Sequence, residues 1–305
     1  MRLNQSSSKL EDSPVKEYVL FRGCIAPVRL PAYEAATILV LEKLGINVTP
    51  LNNANCCGAQ YIESLNENAF LALGGRILAL AESEGKDILA ICGACAGSLK
   101  HTKKLLDRRI RVRSEVNSLL SKEGLEYTKK VQVKHLLDVF EEDIGLQTIR
   151  KAITNPYAGI RLASHYGCHV TRPFDDMNNV EGVEPTIIDA IIRIAGGYPV
   201  DYPHKMRCCG APLLAMDEKL ASKVGMEKIR NIREAEADGI ITACAYCDIQ
   251  LSQVQFGGRL EKSRIPVMTL PQFLGPALGI LDNELGMYLN RTSPSQILGS
   301  LTGVR

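Results

Sequence analysis

The sequence predicts an α/β protein of two similar domains related by pseudo-twofold symmetry. Each is a small parallel sheet flanked by helices, with its cysteines at the carboxyl ends of the strands. Three observations point there. The ten cysteines form two sets of five, Cys24, Cys56, Cys57, Cys92 and Cys95, then Cys168, Cys208, Cys209, Cys244 and Cys247. The paired cysteines and both members of each CxxC string are offset by 152 residues between the halves, and the leading cysteine by 144. Short Val/Ile/Leu-rich runs alternate with amphipathic stretches in the same order in both halves, as parallel strands joined by helical crossovers do; self-similarity at a fixed interval marks a duplication.

In the first half the apolar runs place strands at 18–22, 47–51, 87–91 and 131–133, with helices over 32–44, 63–84 and 99–122. The first helix stops at Gly45, a residue suited to the left-handed turn that ends helices. The second half repeats the order, with strands at 161–164, 198–202, 239–242 and 266–269 and helices over 185–195, 212–237 and 246–255. Each CxxC follows an acidic residue and an apolar run, DILAIC ending at Cys92 and DGIITAC ending at Cys244, which reads as a buried strand terminating at the cysteines. Ligands of parallel sheets collect at the strand carboxyl ends. The leading cysteine follows the first strand, the Cys-Cys pair the second and the CxxC the third, so three loops can converge on one site. The expected division is a flexible arm over 1–17, a first domain over 18–145, a second over 158–282 and a C-terminal tail over 283–305. Acidic residues, Pro and Gly accumulate at the boundary, 141–159, and the arm and tail read as disorder or partner contacts.

Hydrophobic residues at 46% and charged residues at 23% are globular values, and no apolar run approaches the roughly 18 to 20 residues of a membrane span. A formal charge of +2 without Trp or a basic stripe gives no support to nucleic-acid binding. The polar, serine-rich start lacks the apolar core of a secretory signal, so the chain is expected in the cytoplasm, reaching a membrane only through partners. Cytosolic thiols are kept reduced, so ten cysteines there argue for metal ligation or redox chemistry over structural disulfides.

Thiolates are soft anionic ligands suited to iron-sulfur clusters. Five per site exceed the four of an ordinary cubane and suggest a different connectivity. Zinc is the rival, since CxxC is half of many zinc sites, but a tetrahedral site leaves one cysteine over in each half. Gly58 and Gly210, directly after the pairs, suit close backbone approach or positive φ beside a bulky group, or are ordinary turn glycines. His169, beside Cys168, is placed to bond a cluster sulfur or to give a proton to a product thiolate, or is simply packed. Arg29 and Arg172 follow the leading cysteines by five and four residues, with Pro27 and Pro173 nearby, and are candidates for an anionic substrate or for structural roles. His135 reads as structural.

These residues resemble the CCG domain, a Cys, Cys-Cys-Gly, Cys-x-x-Cys arrangement present twice, and most of all the B-type subunits of heterodisulfide reductases. The resemblance rests on GCIAP from Gly23, the two CCGA strings, YGCHVTRP from Tyr166, and CGAC and CAYC, and spans about residues 18–281. It implies that each motif holds a noncubane 4Fe-4S cluster with its five cysteines. In the methanogen enzyme the heterodisulfide of coenzyme M and coenzyme B binds between the two clusters and is reduced to two thiols. Electrons come through an iron-sulfur C-type subunit fed by a flavin-containing A-type subunit. Such an assignment makes the chain the catalytic component of an oxidoreductase complex acting on a sulfur group, with a disulfide or thiol substrate and His169 and Arg172 as catalytic candidates. Similar heterodisulfide-reductase-like complexes of sulfur oxidisers handle protein-carried sulfur. A different class is also open: an electron-transfer subunit like the CCG-domain proteins of unusual succinate dehydrogenases and of glycolate or lactate oxidases. The lack of a CxxCxxC ferredoxin segment argues against the fused oxidase types.

Overall fold

A computed structural model describes residues 16–172, 184–256 and 264–302; most of the expected arm, at 1–15, and Pro173 lie outside them. The strands β1 (Glu17–Phe21), β2 (Asn47–Pro50), β3 (Asp87–Ala90) and β4 (Val133–His135) form a parallel sheet in the order β2-β1-β3-β4. Strands β5 (Arg161–His165), β6 (Tyr198–Val200), β7 (Gly239–Thr242) and β8 (Val267–Thr269) form a second with the same order, β6-β5-β7-β8. The duplicated α/β architecture of the sequence is therefore present. Register makes the halves superposable residue by residue: Phe21 lies opposite Ala90 and Ala90 opposite His135, while His165 lies opposite Thr242 and Thr242 opposite Thr269.

The central strands β3 and β7 are buried along almost their whole length, because helices cover both faces of a parallel sheet. Those helices include α1 (Pro31–Lys43), α2 (Glu67–Ser83), α3 (Gly93–Arg108), α4 (Ile110–Leu120), α5 (Ile187–Ile194), α6 (Glu218–Glu234), α7 (Ala245–Gln253) and α8 (Leu270–Ala277). Two expected helices are each divided. The 63–84 stretch breaks at Asn66, whose backbone is extended and whose side-chain oxygen accepts the Ala69 N–H to cap α2. The 99–122 stretch breaks at Arg109, which leaves the helical region between α3 and α4.

Helix α3 also begins six residues earlier than periodicity indicates, so that Cys92 is its N-cap and Cys95 lies in its first turn. The small residues there hide the period because they admit a neighbour. An added Cβ on Gly93 would stand 2.5 Å from a Val170 methyl, and one on Gly97 3.0 Å from the His169 carbonyl oxygen. Val170 and His169 belong to the short helix Cys168–Thr171, so the leading-cysteine turn of the second half packs on the CxxC helix of the first.

The C-terminal segment needs correction. Residues 283–302 are not a loose tail: Leu285, Met287 and Ile297 are buried. Thr292 Oγ1 accepts the Val267 N–H at 2.8 Å and Asn290 donates to the Val267 carbonyl at 3.2 Å, so the segment satisfies the outer edge of β8. At Gly286 an added Cβ would lie 2.7 Å from Ala32, which shows how closely the segment also covers α1 of the first half. The connecting stretch is ordered as well, as a π turn (Val139–Ile144), a helix (Leu146–Ala152) and Tyr157 stacked 4.7 Å from Phe273. No helix among the described residues is long and apolar enough to cross a membrane.

Candidate metal centre

All ten cysteines stand where β1, β2 and β3, and their counterparts β5, β6 and β7, run out into loops. In the first site Cys24 and Cys56 are exposed and Cys57, Cys92 and Cys95 are buried; in the second Cys168 and Cys208 are partly exposed and Cys209, Cys244 and Cys247 are buried. Sulfurs of Cys24 and Cys56 are 3.8 Å apart and those of Cys57 and Cys95 3.5 Å, far beyond the roughly 2 Å of a disulfide. All ten are free thiols. The two sites meet: Cys92 and Cys244 bring their sulfurs to 3.8 Å.

Glycines make the room. Gly58 and Gly210 have φ of +75° and +92°, and each turns its N–H back on the first cysteine of its pair, at 3.4 Å to Cys56 and 3.3 Å to Cys208. Gly23 and Gly167, also at positive φ, sit just before the leading cysteines; an added Cβ on Gly23 would reach 2.9 Å from the Cys95 sulfur.

The electrostatics are frustrated without a cation. Thiol donors from Cys24 and Cys57, with the Gly58 N–H, pull Cys56 down to about 2. Cys168, Cys209 and the Gly210 N–H likewise hold Cys208 at about 2. The neighbouring Cys56 sulfur, then burial, pushes Cys57 up to about 12. Neighbouring sulfurs and burial raise Cys95 and Cys247 well above the ordinary thiol value. Five crowded sulfurs cannot all ionise beside one another, but bound metal supplies the positive charge that makes every one a thiolate. A five-thiol donor set of this geometry therefore fits a polynuclear iron-sulfur group, and exceeds what one tetrahedral zinc takes up.

His169 and Arg172 come together in a surface cavity of about 370 Å³, lined also by Glu63, Gly97, Ser98, His101 and Cys168. His169 Nδ1 is 3.3 Å from the Cys168 sulfur and 3.4 Å from Gln60 Nε2 of the first half. Arg29, five residues after the first leading cysteine, instead reaches across to Gln253 at 3.5 Å. His135 is structural as expected: its Nε2 bonds the Ala243 carbonyl at 3.0 Å, its Nδ1 accepts the Leu137 N–H, and Asp138 closes the capping box.

One residue escaped sequence reasoning. His165, at the end of β5, is buried, and one of its ring nitrogens lies within 4.8 Å of the Cys209 and Cys247 sulfurs. Its signal was present, since the Gly-Cys strings align it with Phe21, an exchange of phenyl for imidazole at matched positions.

Two parallel sheets delivering five thiols each to adjoining loops define a duplicated cysteine-rich α/β protein. The chain belongs to the CCG cysteine-rich domain family, which matches residues 18–100 and 162–252, and within it to the group that includes the B-type subunits of heterodisulfide reductases. It is similar to the B-type subunit of the ferredoxin/F(420)H(2)-dependent CoB-CoM heterodisulfide reductase of Methanosarcina acetivorans, 34% identical over 92% of this chain and 96% of that one. It is also similar to the 8-methylmenaquinol:fumarate reductase membrane anchor subunit of Wolinella succinogenes, 29% identical over 90% of this chain and 96% of that one. A hypothetical protein of Helicobacter pylori has the same fold, with a TM-score of 0.72 at 17% identity over 90% of this chain; this chain spans 52% of that longer one.

Proposed function

We propose that the chain is the catalytic iron-sulfur component of a heterodisulfide-reductase-type complex, reducing or reversibly forming a disulfide at two noncubane 4Fe-4S clusters. The first would use Cys24, Cys56, Cys57, Cys92 and Cys95, the second Cys168, Cys208, Cys209, Cys244 and Cys247. Partners would be a C-type iron-sulfur subunit and, feeding it, a flavin-containing A-type subunit. The observation that carries the reading is the meeting of two complete five-thiol sites at Cys92 and Cys244, 3.8 Å apart. Relatives that are B-type subunits of heterodisulfide reductases support membership of an oxidoreductase complex.

When bound, such clusters supply one-electron redox chemistry and coordination for sulfur. Reduction of one disulfide to two thiols consumes two electrons and two protons. His169, bonded to Gln60 and facing Cys168 in the cavity, is placed to hold a proton for a departing thiolate. Arg172, in the same cavity, is placed to bind an anionic group of the substrate. His169 is partly exposed and Arg172 exposed.

The second reading is an electron-transfer subunit that takes no disulfide. The fumarate reductase anchor subunit of Wolinella favours it, together with more distant relatives named lactate utilization protein A and glycolate oxidase iron-sulfur subunit. Anaerobic expression, iron and sulfide determination, and electron paramagnetic resonance with and without a heterodisulfide separate the two. About eight irons per chain and a substrate-dependent signal support disulfide chemistry. A full complement with no response moves the chain to electron transfer, and zinc alone overturns both.

A further inference from the structure

We infer that the two metal sites are electronically inequivalent, and that His165 makes the second the more easily reduced by donating a ring N–H hydrogen bond to its sulfurs. The inference rests on the proposal that each five-thiol set holds an iron-sulfur cluster, and it goes beyond that proposal in separating the two.

The halves match closely enough for their differences to be informative. Phe21 and His165 occupy the same place, at the end of the first strand of each sheet and three residues before the leading cysteine. Phe21 fills its position as an apolar side chain, with 1% exposure. His165 is equally buried, yet among the described residues both of its ring nitrogens lack a protein partner. A buried imidazole with neither nitrogen bonded costs free energy that a phenyl ring at the same position does not. The other buried histidine, His135, uses both of its nitrogens. The group that His165 faces is the pair Cys209 and Cys247, so the missing partner is found among the sulfurs of the second site.

A second matched pair acts in the same direction. Arg76 and Lys228 are separated by the repeat offset of 152, and each holds the loop before its Cys-Cys pair by donating to a carbonyl, Asn53 at 2.8 Å and Lys205 at 3.1 Å. Arg76 is neutralised by Glu123, 2.7 Å away near the surface. Lys228 is buried, donates to carbonyls and lies over the Tyr202 ring; among the described residues no carboxylate pairs with it. At these two matched positions, among the described residues, the second site thus has an N–H donor and a cation without a carboxylate partner where the first has Phe21 and the paired Arg76. Hydrogen bonds to cluster sulfurs and nearby positive charge both favour the reduced state.

The test is a redox titration of the anaerobically prepared full chain, followed by electron paramagnetic resonance, on wild type, His165→Phe and His165→Gln, with iron measured in each. The expectation is two resolved midpoint potentials in wild type. In His165→Phe the upper one falls toward the lower, which stays in place; in His165→Gln, whose amide still donates, most of the upper value is kept. Unchanged midpoints in a fully loaded His165→Phe protein overturn the inference, as does a fall in His165→Gln equal to that in His165→Phe. Should the phenyl variant lose iron, the unsubstituted position decides: a chain carrying His169→Gln and labelled with 15N-histidine must show one weakly coupled nitrogen at a single cluster, and its absence overturns the inference. A wild-type chain without iron would instead refute the cluster proposal itself.

Discussion

Cys92 and Cys244 are the same residue of the repeat, and their sulfurs lie 3.8 Å apart. A residue that touches its own counterpart sits on the symmetry axis, as in an isologous dimer contact. The halves are therefore packed with their metal sites inward. Each leading-cysteine turn reaches the opposite CxxC helix, shown by Val170 against Gly93 on one side and by Arg29 with Gln253 on the other.

Shared walls do not mean shared ligands, and this separates the contributions of the two cysteines. Cys92→Ser is expected to lose the first cluster and Cys244→Ser the second, each reducing iron from about eight to about four per chain. Paired iron and acid-labile sulfide determinations check it. If either single variant loses all iron, the sites load as one unit; if neither loses any, these two cysteines are not ligands.

The glycine after each pair is a second point of comparison. At Gly210 an added Cβ would lie 2.6 Å from the Ala221 carbonyl oxygen, a backbone atom that cannot swing aside, whereas at Gly58 the nearest atoms are side-chain carbons at 3.3 Å. Both positions have positive φ. Gly210→Ala should cost about 2–3 kcal/mol and Gly58→Ala about 1 kcal/mol, read from anaerobic urea unfolding. Equal costs would show that backbone strain alone sets the penalty.

The two parallel sheets and the convergence of the cysteines were legible in the sequence because a duplication states each signal twice: DILAIC and DGIITAC mark buried strands, and equal offsets mark equal loops. What stayed hidden depends on contacts between the halves. The early start of α3 is masked by Gly93 and Gly97, which are small because the other half packs there. The string NRTSPSQ makes the 283–302 segment read as a polar tail, yet its Asn290 and Thr292 complete the edge of β8. His165 was visible only as a mismatch with Phe21, and its meaning comes from the sulfurs around it.

Acid should weaken the fold through His135. Burial holds its folded pKa below the ordinary histidine value, so the unfolded chain binds the proton more readily. Stability from this residue is fully present above about pH 6.5 and declines as pH falls below it, at up to about 1.4 kcal/mol per pH unit. Urea unfolding between pH 5 and pH 7 should give a shallower pH dependence for His135→Gln than for wild type. Identical slopes would mean that His135 takes up its proton equally in both states.

The C-terminal segment should prove indispensable. Burying Leu285, Met287 and Ile297 contributes about 1.5–3 kcal/mol each, and the sum is comparable to the roughly 5–15 kcal/mol by which whole domains are stable. Removing the segment also uncovers α1 at Ala32 and leaves the Val267 N–H at the edge of β8 without its acceptor. A chain ending at Asp282 is expected to lose cooperative unfolding and most of its iron. Thr292→Val, which removes only the acceptor and keeps the shape, should cost about 1–3 kcal/mol and leave iron at the wild-type level. A truncated chain that unfolds cooperatively at the wild-type urea midpoint would return 283–305 to the role of a dispensable tail, whatever the threonine variant does.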